Sequence, residues 1–190
     1  MNKLFLSICV LFCTYGFSQG DEVTDLPWTI SAGINIVDND GFQFDKPFDT
    51  SNWNFKNPLI VGAERRFTNF WAANFSLSLN ALESSNLQNN GSLPEDKTLF
   101  AMDATAKFYY DQLFMPTYQL KWFQGYVLSG FGFTNVGSFS TVTYDLGFGF
   151  QFWLENNIGL RIQTMGKWGF NEWNYLKNYI QNSAEIIYRF

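Results

Sequence analysis

The residues best placed to do chemistry are charged side chains that occupy alternate positions in several short stretches. Apolar residues fill the positions between them, so each stretch has one polar and one apolar face. Both signs of charge are present, which permits either ion pairing or acid–base chemistry. These residues are Glu64, Arg66, Asp103, Lys107, Asp145, Arg161, Lys167, Glu185 and Arg189.

Catalysis by these residues is not expected. The chain contains no histidine, which removes the commonest general base and metal ligand. A pair of carboxylates can cleave a glycoside, but arginine and lysine side chains among the acids leave no room for a sugar. A calcium loop is the remaining possibility at Asp38–Gly41, where position twelve is Asp49 and not the usual glutamate. Solvated turn residues explain that segment better, so we expect no enzymatic activity, cofactor or metal.

The same alternation predicts eight β-strands, each of a length suited to a tilted membrane strand of about ten residues. Aromatic residues make up 20% of the chain and charged residues 15%, and the charged share is low for a soluble domain, where it is about 25%. An even number of such strands fits a closed barrel, which leaves no unpaired backbone group in hydrocarbon. The predicted fold is an all-β, eight-stranded antiparallel transmembrane barrel with strands at 28–37, 58–67, 71–82, 98–110, 123–134, 141–153, 158–168 and 179–190.

The N-terminal segment has the features of a secretory signal peptide. Lys3 precedes an apolar stretch at 4–13, and Gly16 and Ser18 are the small residues that a cut before Gln19 requires. We therefore predict a signal peptide at 1–18 and a barrel domain at 19–190. Both cysteines lie in the predicted signal, so the exported chain would have no disulfide. The net charge of −5 argues against a nucleic-acid partner.

The end of the chain resembles the C-terminal signal of bacterial outer-membrane β-barrels. Ile186, Tyr188 and Phe190 alternate on one face of the last strand, and the sequence ends on the aromatic ring of Phe190. The resemblance implies that the barrel-assembly machinery reads these three residues during insertion, and that the protein lies in the cell outer membrane.

A wider resemblance is carried by the stretches GINIVDNDG (33–41), FWLENNIGLRIQT (152–164) and the final IIYRF. They look like the eight-stranded OmpA-type barrels of Bacteroidota. Larger members of that family continue into a domain that grips peptidoglycan, and we do not expect that anchor here because this sequence stops at the barrel. Outer-membrane barrel enzymes resemble one another in using a histidine base, which this chain lacks.

The nine charged residues are predicted to face the lumen, where side chains just fill a barrel of eight strands. Buried charges must pair, so we expect a network of ion pairs that closes the lumen. The alternative is a narrow ion channel with a charged lumen.

Aromatic residues also cluster in the predicted outer loops, and they are candidates for contact with a partner. They could equally pack on one another or lie at the membrane interface. The candidates are Phe44, Phe48, Trp53, Trp173 and Tyr175.

The sequence thus leads us to expect a non-enzymatic outer-membrane protein that is a structural or accessory subunit of a larger secretion, uptake or assembly complex. Its partners would be outer-membrane lipid and other outer-membrane proteins. Besides the channel, a surface adhesin or ligand binder that uses the aromatic loops is the other alternative.

Overall fold

The computed structural model describes residues 28–46, 49–89, 91, 93–114, 122–170 and 177–190. Eight β-strands form a closed antiparallel barrel in which each strand pairs with the next and the last pairs with the first. This confirms the predicted fold class. The predicted signal peptide lies outside the described residues. The strands are β1 (Trp28–Asp38), β2 (Leu59–Arg66), β3 (Trp71–Leu82), β4 (Lys97–Tyr109), β5 (Phe123–Val136), β6 (Phe139–Trp153), β7 (Ile158–Gly169) and β8 (Asn178–Arg189).

The strand ends lie within two residues of the predicted ones. The largest difference is the β5–β6 connection, which is a tight turn and not the predicted loop over 135–140. Gly137 has a φ of 58°, a conformation that glycine adopts at no steric cost. The ladder therefore continues to the pair Val136–Phe139.

Side chains alternate between an apolar exterior and a polar interior, the reverse of a soluble protein. On β3, Phe75 is 49% exposed whereas Ser78 is 1% exposed. The same alternation holds along the other strands and covers the outside of the barrel with large apolar side chains. An apolar outer band around a polar interior is the pattern of a transmembrane barrel.

The two ends of the barrel differ in their connections. At one, the short-turn end, residues 67–70 join β2 to β3 and residues 154–157 join β6 to β7. The β4–β5 connection at this end begins with one helical turn, Asp111–Phe114. The opposite, loop end carries loop L1 (39–58) and loop L2 (83–96). Within the described ranges, no helix is long and apolar enough to cross a membrane.

Candidate functional site

Four charged side chains pair at the centre of the lumen. The Glu64 carboxylate accepts hydrogen bonds from Lys107 Nζ at 2.9 Å and from Arg161 Nη2 at 2.7 Å. The guanidinium of Arg161 also donates to Glu185 at 3.4 Å, because these two residues lie directly opposite each other on β7 and β8. All four side chains are buried and their charges cancel, as burial of ions requires.

This central cluster is completed by polar side chains that are not among the nine predicted charged residues. The Tyr109 hydroxyl donates to Glu64 Oε1, and the Tyr126 hydroxyl donates to Gln163 at 2.8 Å. With its amide turned to satisfy its neighbours, Gln151 accepts from Arg161 at 2.7 Å. The two-residue alternation indicates that these polar side chains face inward, because Tyr109 shares the inward face of β4 with Lys107.

A second cluster lies nearer the loop end. Lys167 Nζ donates to Asp103 and lies 4.0 Å from Asp145 Oδ2, while Thr143 donates to Asp145 at 2.7 Å. Gly132 makes room for the carboxylates, because a Cβ there would lie 2.4 Å from Asp103 Oδ1. Elsewhere in the described chain, as here, no group of three or more acidic, histidine or cysteine side chains is arranged to hold a metal.

The prediction of one ion-pair network is wrong for Arg66 and Arg189. Both face inward, but neither has a carboxylate within 4.0 Å in the described part of the chain. Arg66 instead lies over the Tyr109 ring at 3.8 Å, and Arg189 over the Trp153 ring at 3.9 Å. The physical reason is position: these arginines end β2 and β8, and the carboxylates deeper in the lumen already contact other cations.

An apolar plug fills the lumen at the loop end. It consists of buried side chains from several strands together with Leu93 of L2, which is 4% exposed. Packed together, these side chains form a mainly apolar layer between the ion pairs and the loop end, in which the Tyr179 hydroxyl pairs with Thr134 at 2.7 Å. Its members are Val37, Leu82, Leu93, Leu99, Ala101, Val136 and Tyr179.

Above the plug, side-chain amides bind L1 to L2. Asn54 Oδ1 accepts from the Glu83 backbone N–H at 2.8 Å and from Gln88 at 3.1 Å. Asn80 donates to the Asn54 carbonyl at 3.2 Å. Amides do not titrate, so these bonds hold at any ordinary pH. We call this group of buried and half-buried side chains the amide cap; its members are Asn35, Asn39, Asn54, Asn80, Asn86, Gln88 and Asn89.

One ion pair adds a link between the same loops on their exposed side. Lys56 of L1 and Asp96 of L2 lie 2.5 Å apart. The hydrogen bond from Lys56 holds the pKa of Asp96 well below its usual range. The pair is therefore charged on both sides at neutral pH, and acid that protonates the carboxylate breaks it.

The candidate contact aromatics do not form one cluster in the described residues. Phe44 stacks on Trp168 of β7 with ring centroids 5.2 Å apart, while Trp53 Nε1 donates to Asp38 at 3.3 Å. Phe48, Trp173 and Tyr175 lie outside the described residues. Phe44 therefore lies on the outer wall of the barrel, beside the outward-facing Trp168.

The rings near Phe44 continue sideways across the barrel surface. Tyr144 lies 6.4 Å from Trp168, and Phe131 lies 5.8 Å from Tyr144. We call Phe44, Trp168, Tyr144 and Phe131 the aromatic wall. It faces outward from β5, β6 and β7, not upward from the loops.

The C-terminal residues close the barrel and face its exterior. Phe190 N–H donates to the Trp28 carbonyl at 2.9 Å, and Trp28 N–H donates back at 3.2 Å. Ile186, Tyr188 and Phe190 are exposed on one outer stripe of β8, and the last two rings stack at 6.2 Å.

A closed eight-stranded barrel with an apolar exterior and charged lumen is the fold of small outer-membrane β-barrels. Comparison with protein-family models gives no match, and comparison with curated proteins gives none. Among solved structures, the chain is similar to Neisserial surface protein A, with a TM-score of 0.56 and 12% identity over 87% of this chain and 97% of that one. It is also similar to the attachment invasion locus protein Ail of Yersinia pestis, with a TM-score of 0.50 and 14% identity over 87% and 97%. Both are eight-stranded outer-membrane barrels, and at these identities the likeness establishes the fold.

Proposed function

We propose that the chain is a non-enzymatic integral outer-membrane protein that acts as an accessory subunit of a larger outer-membrane complex for secretion, uptake or assembly. The observation that carries the proposal is the filled lumen. A barrel closed in this way offers other molecules its exterior and its loops, and not a route through the membrane. The similar solved barrels support the membrane setting.

The closed interior argues against the channel alternative. An ion entering from the loop end would first meet the amide cap and then the apolar plug. Below them, Lys167 and Asp103 cross the lumen, followed by Glu64 and Arg161. All of these layers would have to open at the same time. Parting one buried ion pair costs about 3–5 kcal/mol.

The aromatic wall supports a partner that lies beside the barrel. Aromatic residues dominate the buried centres of protein interfaces, and here four rings adjoin on one side. L1 reaches over the outer wall to contribute Phe44, so the surface is built from a loop and three strands. A neighbouring membrane protein can cover such a lateral surface without blocking the loops.

The proposal includes the route to the membrane. The signal peptide at 1–18 would direct export, and the assembly machinery would read Ile186, Tyr188 and Phe190. These side chains are exposed on the last strand, where a receptor can reach them before β8 pairs with β1. The resemblance to OmpA-type barrels of Bacteroidota supports this route.

The test is co-purification of the tagged protein from native outer membranes in mild detergent. We expect a fixed set of partner proteins with the wild type and their loss from Trp168→Ala. The matched control is Phe75→Ala, which removes an exposed ring from β3, outside the aromatic wall, and should keep the partners. A wild-type protein that purifies alone would contradict the proposal.

An adhesin is the second candidate, and the rigid loop end favours it. The amide cap holds L1 and L2 in one arrangement, and Phe42 and Phe55 are exposed there. Preorganised loops bind without a large ordering cost. The name of the similar protein Ail refers to attachment and invasion. Binding of host cells or glycans should fall when Phe42 and Phe55 are both changed to serine; unchanged binding would exclude this candidate.

A further inference from the structure

We propose that Arg66 and Arg189 form a binding site for a phosphate group at the short-turn end of the lumen. The site is separate from the two ion-pair clusters and does not depend on the proposed function. It is carried by the positions, contacts and unmet hydrogen-bonding capacity of the two guanidinium groups.

The strand register brings the two arginines to the same end of the lumen. Thr29 of β1 lies opposite Arg189 on one side and opposite Glu64 on the other. Arg66 follows Glu64 by two residues on β2, so it faces inward one step nearer the short turns. Both guanidinium groups thus belong to the same end of the lumen, on the two strands that pair with β1, and like charges placed in this way repel each other. Their placement together therefore costs free energy unless an anion offsets it.

Each guanidinium has a buried N–H group without a hydrogen-bond partner. These are Nε of Arg66 and Nη2 of Arg189. The other contacts are to turn carbonyls: Arg66 Nη2 donates to Asn69 at 3.0 Å, and Arg189 Nε donates to Asn156. A buried donor without a partner is unfavourable, and an oxyanion within reach of such a donor removes that cost.

Neither guanidinium group has a described carboxylate within 4.0 Å. Glu64 is the nearest carboxylate along β2, but its Oε2 already accepts from Lys107 and Arg161 and its Oε1 from Tyr109. The central cluster is neutral by itself, since two cations face two carboxylates there. Arg66 and Arg189 are therefore outside the neutral central cluster and have no ion-pair partner among its carboxylates.

Aromatic rings hold both guanidinium groups in place. Arg66 Cζ lies over the Tyr109 ring, 3.8 Å from its centroid, and Arg189 Cζ lies over the Trp153 ring, 3.9 Å from its centroid. Trp153 is fixed in turn by its Nε1–H, which donates to Gln124 at 2.9 Å. Stacking leaves the edge of a guanidinium free, and that edge matches the oxygens of phosphate.

A phosphate group fits this site better than a single carboxylate. Phosphate carries close to two negative charges at neutral pH, which equals the charge of the pair. Its tetrahedral oxygens can accept from two guanidinium groups at once, whereas one carboxylate edge serves one. The group could belong to free inorganic phosphate or to a small soluble phosphate ester.

The experiment titrates the folded protein, in a detergent without phosphate, with inorganic phosphate and separately with glycerol phosphate. Calorimetry measures affinity and NMR follows the arginine side-chain N–H signals. We expect saturable binding that Arg66→Gln and Arg189→Gln each weaken by about tenfold or more, since charged hydrogen bonds contribute about 1.5–3 kcal/mol. Stronger binding of one titrant identifies the source of the phosphate.

The matched control is Arg65→Gln. Arg65 is the neighbouring arginine, but it faces outward between the rings of Trp28 and Phe67, so its loss should leave binding unchanged. Equal weakening by Arg65→Gln would show a general charge effect and would overturn the site. An absence of binding at phosphate concentrations up to about 10 mM would also overturn it, because the Kd would then be weaker than millimolar. If a glutamine variant fails to fold, Arg66→Lys and Arg189→Lys keep the charge and still remove the planar fork; unchanged affinity in both would also overturn the site.

Discussion

Glu64 holds the centre of the lumen together, because three donors converge on its carboxylate. Lys107 and Arg161 share one oxygen, and the hydroxyl of Tyr109 donates to the other. When this acid is lost, Lys107 loses its carboxylate partner and Arg161 keeps only Glu185, at 3.4 Å. The arrangement of the side chains around Glu64 therefore depends on its carboxylate.

At the residue scale, we predict that Glu64→Gln destabilises the barrel by about 3 kcal/mol while keeping its fold. The amide has nearly the same volume, so the effect isolates the charge left on Lys107 and Arg161. Urea unfolding in detergent micelles measures it. The control is Glu95→Gln, which removes an exposed acid 3.7 Å from Lys97; an equal loss of stability in both variants would contradict this account.

Which residues face the lumen could be predicted from the sequence, but their partners could not. Alternation assigns all nine charged residues to the inner face. Pairing depends on register and on reach across the lumen, as in Arg161 and Glu64, which lie 97 residues apart. The same limitation explains why Arg66 and Arg189 were placed in a network that they do not join.

At the element scale, the amide cap joins the two long loops to each other. Asn54 connects L1 to L2 through bonds to Glu83 and Gln88. We predict that Asn54→Ala frees the loops, because it leaves these buried donors unpaired at a cost of about 1–3 kcal/mol. Trypsin should then cut faster after Lys56 while the strands remain intact.

The matched variant for this test is Ser85→Ala, which changes an exposed side chain of L2 whose bond is to its neighbour Asn86. Cleavage after Lys56 should stay at the wild-type rate in that variant. If Asn54→Ala is cut no faster than Ser85→Ala, the amide cap does not hold the loops.

The last strand should matter more for assembly in the cell than for stability. We predict that Phe190→Ala lowers the amount of folded protein in the outer membrane, because the terminal ring is part of the signal implied by the resemblance. Refolding of the purified protein in detergent should change little, since this ring is exposed. Quantitative blotting of membrane fractions measures the first effect.

Phe148→Ala serves as the control for that prediction, because Phe148 is also an exposed outward ring but lies on β6. It should assemble at the wild-type level. Equal losses from the two variants would point to lipid contact and not to a C-terminal signal.

The strands could be predicted from the sequence, whereas the structure of the loops could not. Strand limits followed from a local two-residue period, which is why β3 matches its prediction at both ends. The loop structure has no such period. Asn54 and Gln88 are 34 residues apart, and nothing in the pattern around either residue indicates that they meet.

At the scale of the whole molecule, the barrel is an apolar surface wrapped around a filled interior. Closure between β1 and β8 leaves no strand edge for another chain to extend. The lumen contains a central cluster of two cations and two carboxylates, a second cluster in which Lys167 meets Asp103 and Asp145, and the apolar plug above them. What the molecule presents to its surroundings is its outer wall, its loop end and the arginine pair at the short-turn end.

The fold could be predicted at this scale because composition and alternation act along the entire chain. The closure of the lumen was expected from the strand number. The apolar plug was not, since Leu93 comes from a polar loop and joins Val37 and Val136 only through the tertiary arrangement. The structure therefore shows a more completely filled lumen than the sequence predicts.

The most direct test of a closed lumen is conductance across a planar lipid bilayer containing the refolded wild-type protein. Folding is verified beforehand by the shift in gel mobility between unheated and heated samples. We expect a flat current at moderate voltages of either sign, because the apolar plug and both ion-pair clusters block the path of ions through the lumen. Discrete, reproducible current steps from verified folded protein would contradict it and return the channel alternative to first place.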